Sequence, residues 1–248
     1  DGDGGFATTT LTINVNAAND TPVITAQTGT PTLADTGINN TFANVTGTLT
    51  STDRDTDASA SYSLTSGVVG FGTYGTLTVN LNGTYTFVPN SVVINALQTG
   101  SFSDVFDVQV DDGLGGVAAS TLTFNVTAGN DTPEITAVIG SPTLADSAAN
   151  NSFADITGTL TSTDRDTVAT ATYGLASGEV SAGTYGTLTV AANGDYTFVA
   201  NAAAINGLQS GSASDVFNVQ VDDGQGGVAT TTITINVTGA NDAPEITA

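Results

Sequence analysis

The sequence predicts an all-β chain of tandem seven-stranded Greek-key β-sandwiches stacked end to end. Three observations carry that prediction. Short segments alternate apolar and polar residues with a period of two, between clusters of Gly, Asn, Asp and Pro, which is the pattern of sandwich strands and their turns. Motifs return at a constant offset of 111 residues, the spacing of DGDGG at Asp1, DGLGG at Asp112 and DGQGG at Asp223. A period of that length with no shorter one nested inside it marks a whole domain rather than a solenoid unit, and it is long enough to bury one core.

Within the first full copy the first strand follows Pro22, the second lies near Phe42 to Thr50, and the third near Ala58 to Leu64. The fourth and fifth form a hairpin: Leu77 and Val79 lead into a turn at Asn82 and Gly83, and Tyr85 and Phe87 lead out. One helical turn is expected around Ile94 to Leu97. The sixth strand, Val105 to Val110, alternates Phe106, Val108 and Val110 with Asp107 and Gln109, and DGLGG then returns the chain into the seventh, Val117 to Val126. The clearest strand pattern of all is Leu11, Ile13 and Val15, copied as Leu122, Phe124 and Val126 and again as Ile233, Ile235 and Val237. The expected domains are therefore 21–131 and 132–242, with 1–20 the last strand and linker of a preceding copy and 243–248 the start of a following one. A shifted frame is the alternative, in which Leu11 to Val15 completes the first sandwich and Val117 to Val126 the next.

Composition excludes several functions. With 24 Asp and Glu against 2 Lys and Arg, the net charge of −22 repels nucleic acid and anionic membrane surfaces and favours small cations. A hydrophobic fraction of 39% is too high for a disordered acidic tail, and no apolar run is long enough to span a membrane. The absence of Cys and His removes disulfides, thiolate nucleophiles, zinc sites and the usual general base. What remains abundant is hard oxygen from Asp, Asn and backbone carbonyls, the ligand set of Ca2+.

Alternation of strand direction places the TDRDT loop (Thr52, repeated at Thr163) and the DDG loop (Asp111, repeated at Asp222) at one end of each sandwich, where the chain enters through NDTP (Asn19, repeated at Asn130 and, as NDAP, at Asn241). The opposite end carries Asp35, Asp146 in the second copy, and Gln98. A junction between copies is thus expected to gather Asn130, Asp131, Asp164, Asp166, Asp222 and Asp223, with Asp35 and Gln98 from below. The same positions in the preceding junction are Asn19, Asp20, Asp53, Asp55, Asp111 and Asp112, and in the following one Asp146, Asn241 and Asp242. Two carboxylates 4 Å apart repel by about 4 kcal/mol at an effective dielectric of 20, so such a cluster splays unless a divalent cation turns repulsion into coordination. Asp and Gly in such loops are ordinary turn chemistry when they occur singly; the recurrence of three acidic loops at one end is what points to a metal. Asp112 is preferred over Asp111 because it shares the parity of Val108 and Val110. Arg54 and Arg165, each between two Asp residues, are read as local partners of those carboxylates.

The strings GTLTSTDRD, GTLTVNLNGTYTFVPN and DVFDVQVDDGLGGVAASTLTFNVTAGNDTPEIT resemble the VCBS repeats and bacterial cadherin-like modules of large RTX-type surface adhesins, twice over and across nearly the whole chain. The resemblance matches TDRD to the cadherin DxD loop, VDDG to the acidic loop before the last strand, and NDTP to the NDNxP linker. It places a glutamate near the positions held here by Gln98 and Gln209. It implies extracellular, non-catalytic repeats on a bacterial surface, reached by type I secretion, stiffened by Ca2+ and partnered by neighbouring repeats. Two other readings are expected less: a calcium-dependent carbohydrate module, which the absence of Trp disfavours, and a filament subunit in which the apolar strand of residues 1–20 pairs with another chain. Catalysis by paired carboxylates would require an active site duplicated every 111 residues.

Overall fold

A computed structural model describes residues 2–26, 31–38, 40–137, 140–149, 151–167 and 170–244. Asp1 and most of the expected start of a following copy, residues 245–248, lie outside them. The chain forms two compact units, one of Asp1–Thr30, Asn44–Val88 and Val105–Thr123, the other of Pro31–Ala43, Pro89–Asp104 and Phe124–Ala248. No helix among the described residues is long and apolar enough to cross a membrane.

In the first copy the strands are β1 (Val23–Ala26), β2 (Thr32–Ala34), β3 (Val45–Thr48), β4 (Thr50–Thr52), β5 (Ser61–Leu64), β6 (Val69–Phe71), β7 (Gly75–Val79), β8 (Thr84–Pro89), β9 (Ser101–Asp111) and β10 (Val117–Thr127), with helix α1 (Ser91–Ile94) between β8 and β9. They make sheets of order β2-β10-β9-β5, β3-β8-β7-β6 and β1-β4. The second copy repeats the plan as β11 (Glu134–Ala137), β12 (Thr143–Ala145), β13 (Ile156–Thr159), β14 (Thr161–Thr163), β15 (Thr172–Leu175), β16 (Gly186–Val190), β17 (Asp195–Ala200), α2 (Ala202–Asn206), β18 (Gly211–Asp222) and β19 (Val228–Gly239). Its sheets are β12-β19-β18-β15, β13-β17-β16 and β11-β14.

Alternation drives these strands. Along β18, Asp215, Phe217, Val219 and Val221 are buried and their neighbours are not; β19 answers with Ile233, Ile235 and Val237, and the register sets Phe217 opposite Ile233. The opposing sheet supplies Leu188 and Phe198, and the rings of Phe198 and Phe217 meet at 5.9 Å between centroids. The first copy repeats the contact with Phe87 and Phe106 at 6.0 Å. The turn between β7 and β8 closes through Asn80 N–H to Thr84 O (2.8 Å) and Gly83 N–H to Asn80 O (2.9 Å). Gly83 takes φ +86 there, and a Cβ would stand 2.5 Å from Leu49 O, so only glycine fits.

Several expectations change. The single first strand is two: β1 pairs antiparallel with β4, and after Pro31 the chain changes sheets so that β2 pairs parallel with β10, Thr32 opposite Asn125. The second strand divides into β3 and β4 around the buried Leu49. β6 was not expected, and α1 starts earlier than the expected turn because Asn90 caps it, its Oδ1 accepting from Val93 N–H. The Leu11, Ile13, Val15 segment forms no strand and is exposed. β10 lies between β2 and β9.

Candidate metal centre

The loop after β14 begins with Asp164, whose Oδ1 accepts Asp166 N–H at 2.9 Å and folds the DxD segment into an Asx turn. Asp166 in turn accepts Asp131 N–H on Oδ2 at 2.7 Å, so the loop grips the linker backbone directly. Asp223, at the end of β18, accepts Gln225 N–H and Gly227 N–H on Oδ1 (2.7 and 3.0 Å) and the Asn130 amide on Oδ2 (2.8 Å). Its carboxylate therefore shapes the Gly-rich turn and orients Asn130, leaving the Asn130 Oδ1 free. The carboxylate of the neighbouring Asp222 accepts Gly224 N–H, and the residue is less buried.

From the first copy comes the segment after β2. Asp35 N–H donates to Thr127 O at 2.8 Å, which ties the segment to the end of β10, and Thr132 N–H reaches Gly37 O at 3.4 Å. Thr167 N–H and Oγ1 both approach Ala96 O, at 3.5 and 3.4 Å. This cover buries Asp131 completely, with Asp166 at 4% and Asp35 at 6% exposure. All of these residues belong to the second compact unit.

The decisive property of the cluster is what lacks a partner. Both carboxylate oxygens of Asp131, one each of Asp35 (Oδ2), Asp164 (Oδ2) and Asp166 (Oδ1), and Oδ1 of Asn130 are buried without a hydrogen bond, as is the Gln98 amide nitrogen. Buried oxygens of this kind are rare, and ionised ones are costly. Burial pushes the Asp131 carboxyl from 3.8 up to about 6, aided by the charges of Asp35, Asp166 and Asp164 and opposed by Arg165. Burial likewise raises Asp35 and Asp166. Burial acts on Asp223 too, yet the Asn130 amide and the turn N–H groups outweigh it and hold the group below the usual range. A cleft of 190 Å³ opens beside these groups, lined by Pro133, Ser162, Asp164, Asp166, Ala171 and Asp223.

The equivalent residues of the first unit assemble a similar but more open site. Asp53 Oδ1 accepts Asp55 N–H (2.9 Å), Asp55 Oδ2 accepts Asp20 N–H (2.7 Å), and Asn19 donates to Asp112 Oδ2 (2.9 Å). Asp53 Oδ2 is buried and unpaired. Asp20, unlike Asp131, is exposed. Asp111 is exposed and its carboxylate accepts Gly113 N–H, whereas Asp112 is 1% exposed. The third set is not joined to an acidic loop: Asp146 is satisfied by Ser147 N–H (2.9 Å) and Ala240 N–H (3.2 Å), Asn241 is exposed, and Asp242 keeps one buried unpaired oxygen.

Among the described residues no three acidic side chains stand in the geometry of a metal site. Asp166 and Asp223 are turned onto backbone and amide N–H groups. The donor set itself, all carboxylate and amide oxygen with unsatisfied lone pairs, suits a hard divalent cation. Ser162 and Tyr173, whose hydroxyls bond at 2.7 Å beside the cleft, were missed from sequence, although the same pair recurs as Ser51 and Tyr62.

A family profile, described as the bacterial cadherin-like domain, matches residues 19–128 and again 130–239, each match starting at the Asn of an NDTP motif. No curated protein matches the chain. Solved structures similar to it include mouse cadherin-23 EC22-24 (13% identity, 90% of this chain and 67% of that one, TM-score 0.43). The extracellular cadherin domains 3-6 of protocadherin gamma B2 share 15% identity over 89% of this chain and 51% of that one, with a TM-score of 0.39. Drosophila N-cadherin EC1-4 shares 15% identity over 90% of this chain, with a TM-score of 0.29, and this chain spans about half of it (51%).

Proposed function

This chain belongs to the bacterial cadherin-like domain family, and we propose that its repeats are calcium-stiffened, non-catalytic extender domains of a bacterial cell-surface adhesin. The family's modules are extracellular adhesion or structural repeats. The observation that carries the finer reading is Asp131, a fully buried carboxylate with neither oxygen bonded, which feels the charges of Asp35, Asp164 and Asp166, each of which has one unpaired buried oxygen of its own. Ca2+ would supply a shared positive centre for 6 to 8 such oxygens. Asp35, Asp131, Asp164, Asp166 and the Asn130 carbonyl would hold it, while Asp223 fixes Asn130 and the Gly-rich turn.

Because Asp35 comes from one repeat, Asp131 from the linker and Asp164 and Asp166 from the next, holding one ion in common would restrain the angle between successive repeats. Pro133 keeps the residue before it extended and shortens the range of that angle. Repeats 21–131 and 132–242 would then act as stiff blocks, with neighbouring repeats of the same chain as principal partners. Net charge −22 disfavours nucleic acid, and membrane insertion is not part of this role.

Small-angle X-ray scattering tests the reading. In millimolar Ca2+ the maximum dimension should be larger and the profile that of a rod; chelator should shorten it and broaden the distribution of distances. Superimposable profiles with and without chelator would contradict it. A second reading, donation of residues 1–20 to another chain as a filament contact, is favoured by one observation: Leu11, Ile13 and Val15 are 82%, 75% and 86% exposed.

A further inference from the structure

We propose that the open edge of β6 is a self-association site, at which two copies of this chain join the sheets of their first repeats edge to edge and antiparallel. β6 is the terminal strand of the sheet β3-β8-β7-β6. Gly72 N–H bonds Gly75 O at 2.8 Å and Val79 N–H bonds Val68 O at 3.3 Å, while Gly70 stands opposite Leu77. The antiparallel ladder thus occupies residues 68, 70 and 72, and the N–H and C=O groups of Val69 and Phe71 turn toward the open edge.

Side chains and backbone agree on this edge. Val69 is 40% and Phe71 85% exposed, both on the outer face, whereas a Cβ at Gly70 would meet the core ring of Phe106 at 2.8 Å. A second β6 set antiparallel, Gly70 opposite Gly70, is self-complementary. Val69 and Phe71 would exchange backbone hydrogen bonds with the partner's Phe71 and Val69, and their side chains would form two aromatic to β-branched cross-strand pairs.

Two observations argue that the occupant is another copy of this chain. In a protein of net charge −22, residues 58–103 hold no Asp, Glu, Lys or Arg, and they include β5, β6, β7, β8 and α1. Two copies approaching along these elements bring no charge from the elements themselves; an acidic residue that flanks them is the exposed Asp107 of β9, whose carbonyl accepts Thr65 N–H at 3.0 Å, while more acidic faces repel more strongly. The second repeat, moreover, lacks the site: Glu179, Val180, Ser181 and Ala182 stand where the first has Val68, Val69, Gly70 and Phe71. Its sheet ends at β16; beyond it a bridge between Ala182 and Thr187, with Gly183 N–H to Gly186 O and Leu188 N–H to Ser181 O, does not extend to a regular strand. A charge and the loss of a regular strand are devices that blunt an edge, and the first repeat has neither.

A three-residue edge buries far less than the roughly 1,200 Å² of a stable dimer, so the association is weak and concentration-dependent. Sedimentation velocity of the whole chain over a wide concentration series, in calcium and separately in chelator, tests it. The wild type should shift from monomer toward dimer in both buffers, Val69→Lys should stay monomeric, and Phe71→Ala should weaken the dimer about tenfold, a change that sedimentation resolves. Phe71→Ala places at an exposed position the residue its counterpart already carries, so folding is retained. A wild type that is monomeric throughout, a dimer seen only with calcium, or one equally strong in both variants, as Leu11 to Val15 contacts would give, overturns the proposal.

Discussion

Replacing Asp131 with Asn is expected to stabilise the chain in chelator at neutral pH and to abolish most of its stabilisation by calcium. The wild-type carboxylate is completely buried, accepts no hydrogen bond and faces the charges of Asp35, Asp166 and Asp164. Raising its pKa from 3.8 to about 6 corresponds to on the order of 3 kcal/mol of unfavourable charge when it is ionised. An amide of nearly the same shape removes that charge, while the Asp131 backbone N–H that Asp166 holds at 2.7 Å is unaffected. In calcium the gap closes and the two proteins draw nearly level. Saturation to about a hundred times the dissociation constant contributes about 2.7 kcal/mol to the wild type, and a neutral residue at the centre of the ligand set forfeits most of it. Calorimetric melting of both proteins in both buffers reads all four stabilities. A variant less stable than wild type in chelator, or equally responsive to calcium, would show that Asp131 is neither strained nor a ligand.

The pH dependence of stability between 4 and 7 should change sign with calcium. In chelator the relevant groups are Asp131, raised to about 6, and Asp35 and Asp166, raised by burial. A carboxyl whose folded pKa lies above its unfolded value takes up a proton on folding in the window between the two. Stability is therefore higher near pH 4 and falls as pH rises toward 6, by up to the order of 3 kcal/mol for Asp131 alone. Asp112 and Asp223 are also desolvated, but Asn19 or Asn130 and their turn amides hold both low, so they act oppositely. Their stabilisation is present above the ordinary carboxyl range and is lost as pH falls through their depressed values, which places the optimum in chelator near pH 4 to 5. With calcium, protons and ion compete for the same oxygens, and stability should instead rise from pH 5 to 7. Denaturant midpoints measured across that range in the two buffers check it; parallel curves would sink the assignment.

Much of this molecule was legible in its residues. Strict alternation in Leu122, Phe124, Val126 and in Ile233, Ile235, Val237 marked strands whose inward faces are as expected, because a half-buried strand can be read two residues at a time. The same parity picked the buried Asp112 over the exposed Asp111. Where pairing depends on distant partners the reading failed. The parallel contact of β2 with β10 leaves no local mark, and β6, with glycines at both flanks and one inside, has no alternation to detect. Leu11, Ile13 and Val15 carry the strongest strand pattern and form no strand, since a pattern needs neighbours to pair with. The site shows the same division. The NDTP motif is identical at Asp20 and Asp131, yet one is exposed and the other wholly buried, a difference made by the Asp35 segment lying over the second.

Diffraction from crystals grown in calcium, with terbium exchanged in to give an anomalous signal, addresses the shared ion most directly. The expected result is an anomalous peak bounded by oxygens of Asp35, Asp131, Asp164 and Asp166, drawn in from the positions they now hold. Ordered water there, with no peak and the four carboxylates still apart, would contradict it.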